Sequence, residues 1–389
     1  MTQPILDPSK RTFPEFSLSR LLKTVFEPTD GMRVCILIDL ENLEEVKDFA
    51  FLQNSELKVQ KYAYDVFHQG LHNGVMEELG MHGGEFFAYP LSGGSNLNLE
   101  DRAVRSDGSS VSLEKDVYPS YDIILCISTF SATAPLTAFA KQYGFRGATL
   151  HGLNEVIVKT GLSVNYREVS ADAEKLRLAM TKADEIEIDF TIADTHKMTC
   201  RLLLGGQEAQ KSHGLCLGTA PDIANLPAGE VYFVPTSAEG QFPLKYEDGS
   251  LGLLDLDDGR IVKSTLVEGN QSTIDEHNAM LEADPMTGVL GELGFGTQVL
   301  PVSGADIQDE KILGTCHLAT GRDDHLGGQI TPDLFKKHQN ATHDDILFAP
   351  HKTPNFDIAQ VRMKRGEQNE VLIEHFKPMP YLVGALTND

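Results

Sequence analysis

Apolar positions in the first 165 residues recur with two different periods. Leu18, Leu21, Leu22 and Val25 fall at i, i+3, i+4 and i+7, which predicts an amphipathic helix ahead of the turn Pro28-Thr29-Asp30-Gly31. The run RVCILIDL (33–40) is almost continuously apolar, as strands buried on both faces are. Helical stretches are expected around 42–53 and 58–79, with another over Leu136–Tyr143, whereas Phe86–Tyr89, Asp122–Ser128 and Ala148–Leu150 read as strands. Strands alternating with helices predict an α/β domain with a mainly parallel sheet over residues 1–165. Residues 91–120 lie within it, long, polar and rich in glycine and serine, and are expected to form a functional flap or a mobile insertion.

Near residue 165 the pattern changes. IEIDFTI (186–192) alternates with period two, and MTCRLLLGG (198–206) follows after a short turn. LGLLDLDDGRIVKSTLVEG (251–269) holds two strands around Asp258-Gly259, a hairpin signal, and a helix is expected near 273–283. The fold class is therefore α/β: an N-terminal α/β domain over 1–165, then a β-rich α+β metal-binding domain over 166–389.

Composition narrows the partners. Hydrophobic residues make up 41% and charged residues 23%, the composition of a globular chain. Acidic residues outnumber basic ones 57 to 33, a formal charge of -24, so neither nucleic acid nor an anionic membrane surface is an expected partner. No stretch reaches the 18 apolar residues of a membrane span, and MTQPILDPSKRTFPEF lacks the apolar core of a signal peptide. Five cysteines form no CxxC pair, and Cys35, Cys126 and Cys200 sit inside apolar runs, which fits a reducing, cytoplasmic setting. The first strand runs into IDLENLEE without a glycine, and Gly291, Gly294 and Gly296 have the wrong order for a phosphate loop. A nucleotide site is not supported.

Five polar residues carry the candidate chemistry. Glu230 lies in NLPAGEVYFVP, Glu292 in GELGFGT, His317 in GTCHLATG, and His343 and Asp345 in NATHDDILFAP. Each sits in or beside an apolar or glycine-rich segment, where an uncompensated charge is costly and a metal would compensate it. In a strand, i and i+2 share a face, so His343 and Asp345 can approach one ion while Asp344 points away. The glycines around Glu292 would permit close backbone approach and a sharp turn. Oxygen and nitrogen ligands suit zinc, manganese, cobalt or magnesium. Glu230, Glu292 and Asp345 over-neutralise one divalent ion but leave two with a modest positive excess, which favours a paired-metal clamp that activates a bridging water. Taken singly, each residue also has an ordinary reading: a solvated strand end, a hydrogen-bonded core histidine, a chance H-x-D. The joint arrangement carries the argument.

NLPAGEV, GELGFGT, the acidic DEK before HLATG and the final H-x-D stand here in the order found in the metallo-aminopeptidases of the aminopeptidase T and PepS type, which this chain resembles over roughly 185–350. The resemblance implies a homodimeric peptidase with two divalent metals, taking a peptide or small-molecule substrate and removing N-terminal residues. By motif, Glu230, Glu292, Glu310, His317, His343 and Asp345 match its metal-ligand positions, Glu310 having an exposed turn charge as its even alternative. Glu292 is the residue to bridge the metals or take the proton from the attacking water. The family carries a tyrosine where this chain has Asp324; the adjacent His325 could donate a hydrogen bond in its stead or ligate a metal, which makes Glu292 and His325 the catalytic candidates. Two other readings stand beside the peptidase. The 2,5-dihydroxypyridine dioxygenases look related and use one iron held by two His and one carboxylate, a set that His317, His343 and Asp345 could supply, although retention of Glu230 and Glu292 favours the peptidase. The third is a non-catalytic metal-binding homologue.

Overall fold

The strand Arg33–Leu40 feeds two cores at once: Val34, Ile36 and Ile38 enter one, Cys35 and Leu37 the other. That double burial places it at the centre of a seven-stranded sheet. The computed structural model describes residues 7–193 and 196–387. Across the sheet the order is Asp222–Asn225, Arg146–His151, Ile123–Ser128, Arg33–Leu40, His82–Pro90, Ala103–Arg105, Ser110–Val111. The first five pair in parallel and the last two antiparallel, so the sheet is mixed, and the chain is α/β as expected. Helix Leu18–Phe26, capped by Ser17, buries Leu18, Leu21, Leu22, Val25 and Phe26 against one face; helix Thr133–Tyr143 covers the other through Leu136 and Ala140.

Two details depart from the sequence pattern. Residues 91–120 contain the last two strands of the sheet and wide or tight helical turns over Leu113–Val117 and Tyr118–Ser120. Strand Asp222–Asn225 comes from far along the chain yet pairs with Arg146–His151, closing the opposite edge of this sheet.

The remaining strands form two antiparallel sheets packed face to face. The larger runs Arg260–Glu268, Leu251–Asp257, Ser237–Lys245, His196–Leu203, Glu185–Ile192, Phe356–Arg365, Gln368–Glu374, Lys377–Pro378. Its hairpin turns at Asp258-Gly259, both in the left-handed region, as the sequence anticipates. The smaller runs His343–Phe348, Cys316–Gly321, Leu290–Gly296, Glu230–Phe233, Gln210–Ser212. Ile186, Ile188, Phe190 and Phe242 from the larger sheet share one core with Val231, Phe233, Leu293, Phe295, Leu318 and Phe348 from the smaller. Among the described residues no helix is long and apolar enough to cross a membrane, and all five cysteines are buried and free.

Candidate metal centre

Strand periodicity fixes which face of the smaller sheet carries chemistry. With Val231, Phe233, Leu293, Phe295, Leu318 and Phe348 committed to the core, Glu230, Glu292, His317, His343 and Asp345 must all point the other way. Neighbouring strands then set them side by side, with Glu230 opposite Gly296, His317 opposite Gly294 and Asp345 opposite Ala319. Glycine at 294 gives the His317 ring its room. A Cβ there would lie 2.1 Å from His317 Cε1 and 2.3 Å from Nε2. Gly291, Gly294 and Gly296 thus supply the close approach expected of them, but they lie within a strand and make no sharp turn.

The ligand atoms gather into three overlapping sets, within each of which they lie no more than 4.8 Å apart: Glu230, Glu292 and His317; Glu292, His343 and Asp345; Glu310, His317 and Asp345. Glu310 is buried, not an exposed turn charge, at the end of the short helix Asp306–Asp309. His317 and His343 share none of these sets, so the trio His317, His343 and Asp345 is not among them. His343 Nε2 lies 3.0 Å from Glu292 Oε2 and 3.5 Å from Asp345 Oδ1, and His317 Nε2 lies 3.5 Å from Glu292 Oε1. His343 Nδ1 donates to the Arg322 carbonyl at 2.7 Å, which fixes the ring and leaves Nε2 to face the carboxylates.

The electrostatics are those of crowded carboxylates. Burial would raise the Glu292 carboxyl, but hydrogen bonds from His317 and His343 outweigh it and hold it well below its usual range. Burial would likewise discharge the two imidazoles; their hydrogen bonds to carboxylates win instead, lifting His317 to about 9 and His343 well above its ordinary value. Glu310 is pushed up to about 8 by burial, against the pull of Lys311.

Lys311 has no role in the sequence reading. Its side chain is 1% exposed, and Nζ donates to Glu230 Oε2 and Glu310 Oε1, each at 2.6 Å. His325 lines the same cleft, its ring edge-on to His343 at 4.9 Å, and burial followed by the nearby His343 charge drives its ring towards the neutral form, down to about 3. Asp324, in the position of the family tyrosine, accepts a two-pronged hydrogen bond from Arg322 at 2.9 and 3.0 Å. Arg322 also donates to the Asn96 carbonyl at 2.7 Å, and the His343 backbone N–H donates to the Ser95 carbonyl at 3.2 Å. The polar segment that begins at residue 91 is therefore fastened to the metal-facing strands.

The ligand face opens on a cleft of about 200 Å³ whose other wall is the rim of the first sheet, through His151 and Asn225 on its strands, Asn96 in the loop after His82–Pro90 and Thr133 at the start of the helix Thr133–Tyr143. His151 was also missed. Its place at the carboxyl end of a parallel strand, where α/β sheets present their sites, is the signal that marks it.

No family model matches the chain, and no curated protein matches it. A solved structure does: that of a 2,5-dihydroxypyridine dioxygenase from Pseudomonas putida KT2440, with a TM-score of 0.56 and 12% sequence identity over 90% of this chain and 92% of that one. At that identity the likeness establishes a shared fold. It also corrects the expectation of a metallo-aminopeptidase of the aminopeptidase T and PepS type, and with it the hydrolase assignment. The matched protein is an oxidoreductase, and the motifs behind the peptidase resemblance mark a sheet face whose side chains could hold a metal, without fixing the reaction.

Proposed function

We propose that the chain is a metal-dependent ring-cleaving dioxygenase whose single ferrous ion is held by Glu292, His343 and Asp345. The observation that carries the reading is this trio, with ligand atoms within 4.8 Å of one another, on a scaffold matched along 90% of its length by a dioxygenase. The donor set fits a divalent ion of intermediate hardness, and His343 has the second-shell carbonyl that ligating histidines use to fix their tautomer.

Charge arithmetic favours one ion over two. Glu230, Glu292 and Asp345 carry three negative charges, and Lys311 with two protonated imidazoles carries three positive ones, Glu310 being protonated at neutral pH. One divalent ion on Glu292, His343 and Asp345 displaces the His343 proton and adds a single positive charge to that balance. A second would place two further positive charges in a buried site, where Lys311 already serves Glu230 and Glu310. A bound ferrous ion would supply open positions for a hydroxylated ring and for dioxygen. The chain's own residues do the rest. Lys311 neutralises Glu230 and holds the Glu310 carboxyl by a hydrogen bond, His325 packs a neutral ring against the His343 ligand, and the first sheet closes the cleft from the far side.

The test is anaerobic loading with ferrous iron, measurement of metal per chain, and oxygen uptake on addition of 2,5-dihydroxypyridine. One iron per chain and oxygen consumed in step with ring loss are expected. Two tightly held ions, or an iron-loaded protein that leaves oxygen and ring untouched, would overturn the proposal; the latter result would favour a non-catalytic metal-binding role.

A further inference from the structure

The strand Glu230–Phe233 sends Val231 and Phe233 into the core, so Glu230 and Tyr232 share its other face. Glu230 is taken up by Lys311. Tyr232 stands opposite Gly294, and His317 follows beyond Gly294 in the same row across the sheet. Because Gly294 carries no side chain, Tyr232 and His317 are next neighbours along that row of the metal-facing surface. Glu292, two positions along from Gly294, is the diagonal neighbour of Tyr232, a spacing that aromatic side chains bridge. The phenol lines the same cleft as Glu292, His343 and Asp345.

The Tyr232 hydroxyl differs from those of the other buried and half-buried tyrosines. Tyr166 donates to the Gly161 carbonyl at 2.9 Å, Tyr381 to the Ala179 carbonyl at 2.7 Å, and Tyr246 is shared between Ser264 and His277. Tyr118 has no partner, but its hydroxyl is sealed from solvent. Tyr232 has no hydrogen-bond partner among the described residues and is not sealed, so its hydroxyl is open to a molecule in the cleft. Two other donors of this face are already engaged, Lys311 by Glu230 and Glu310, and His343 Nδ1 by the Arg322 carbonyl. A phenol titrates near about 10 and so keeps its proton at neutral pH, where it is a donor that carboxylate-rich surroundings do not otherwise supply.

We propose that Tyr232 is a substrate-binding residue of this site, its hydroxyl donating a hydrogen bond to an oxygen substituent of the aromatic ring bound at the metal centre. The proton stays on the phenol, and the bond selects which edge of the ring turns towards the ion. This rests on the dioxygenase reading above.

The full-length, iron-loaded protein is titrated anaerobically by calorimetry, as wild type and Tyr232→Phe, with 2,5-dihydroxypyridine, 2-hydroxypyridine and 3-hydroxypyridine. The substitution removes one oxygen, keeps the aromatic ring and breaks no hydrogen bond within the protein, so iron content and melting temperature are expected to match wild type. The variant should bind 2,5-dihydroxypyridine about tenfold more weakly. At least one of the two single-hydroxyl rings, lacking the oxygen that Tyr232 meets, should bind both proteins alike. Equal affinity of the two proteins for 2,5-dihydroxypyridine, the same loss with all three rings, or a lowered melting temperature in the variant would overturn the inference alone. A wild-type protein that takes up no iron, or takes it up and does not bind 2,5-dihydroxypyridine, would overturn the dioxygenase reading and this inference with it.

Discussion

Gly294→Ala is a single methyl aimed at the centre of the site. The position needs no special backbone angle, so the whole effect is steric. An ideal Cβ would sit 2.1 Å from His317 Cε1 and 2.3 Å from Nε2, against a comfortable carbon–carbon separation of about 3.5–4.0 Å. The overlap exceeds an ångström and falls on a ring that is 1% exposed, so the ring must swing away or the two strands must part. Overpacking of this kind costs about 1–3 kcal/mol. Displacing His317 also removes a hydrogen bond that Glu292 receives, and disturbed support of a ligand typically lowers metal affinity by about 10–100-fold. Urea unfolding should show a lower midpoint at unchanged slope, and metal titration a weaker site. A double variant sharpens the reasoning: with His317→Ala already present, the added methyl finds the space the ring vacated and should cost little more. Wild-type stability and metal affinity in Gly294→Ala, or full additivity in the double variant, would refute it.

Metal uptake at pH 7 should release about one proton, from the ligating His343, measurable by calorimetry in buffers of differing ionisation enthalpy. His317 is raised from 6.5 to about 9, so its stabilising charge is complete below about pH 6.5 and lost as pH rises through 9. The metal-free protein should lose on the order of 3 kcal/mol across that window, and the metal-induced rise in melting temperature should grow with pH; a rise that shrinks would contradict the assignment. Lys311→Met leaves Glu230 facing Glu310 without their cation and should destabilise the metal-free protein by about 3–5 kcal/mol. Excess divalent metal should restore much of that loss by supplying a second ion, and no recovery would argue that the ammonium does not stand in for one. Arg322→Met strips a buried guanidinium from Asp324 and the Asn96 carbonyl; a loss of about 3 kcal/mol in chemical unfolding is expected, and a neutral result would mean the fastening is dispensable.

The features legible in the sequence are those set by short-range periodicity. Val231 and Phe233, Leu293 and Phe295, and Leu318 commit alternate positions to the core, and the polar residues between them share the opposite face as a consequence. H-x-D at 343–345 works in the same way. What could not be read depends on contacts between distant segments. Lys311 pairs with Glu230 across 81 positions, and no local pattern announces an ammonium in a buried carboxylate cluster. Ala103–Arg105 and Ser110–Val111 are three and two residues long, too short for alternation to show. The reaction was misread for a different reason. A carboxylate and histidine face selects hard and intermediate cations, and several chemistries draw on that same selection.

Strand Asp222–Asn225 has a bearing on how the chain can be divided. It completes the edge of the first sheet beside Arg146–His151, and only a few residues later Glu230 opens a strand of the metal-facing sheet. A fragment ending near residue 165 would keep the pairing of Arg146–His151 with Ile123–Ser128 but leave its outward backbone groups unpaired, an open strand edge that is a template for sticking to other copies. A protease cut between 165 and 222 should therefore leave the two pieces held together by parallel strand pairing, separable in denaturant and inseparable in buffer.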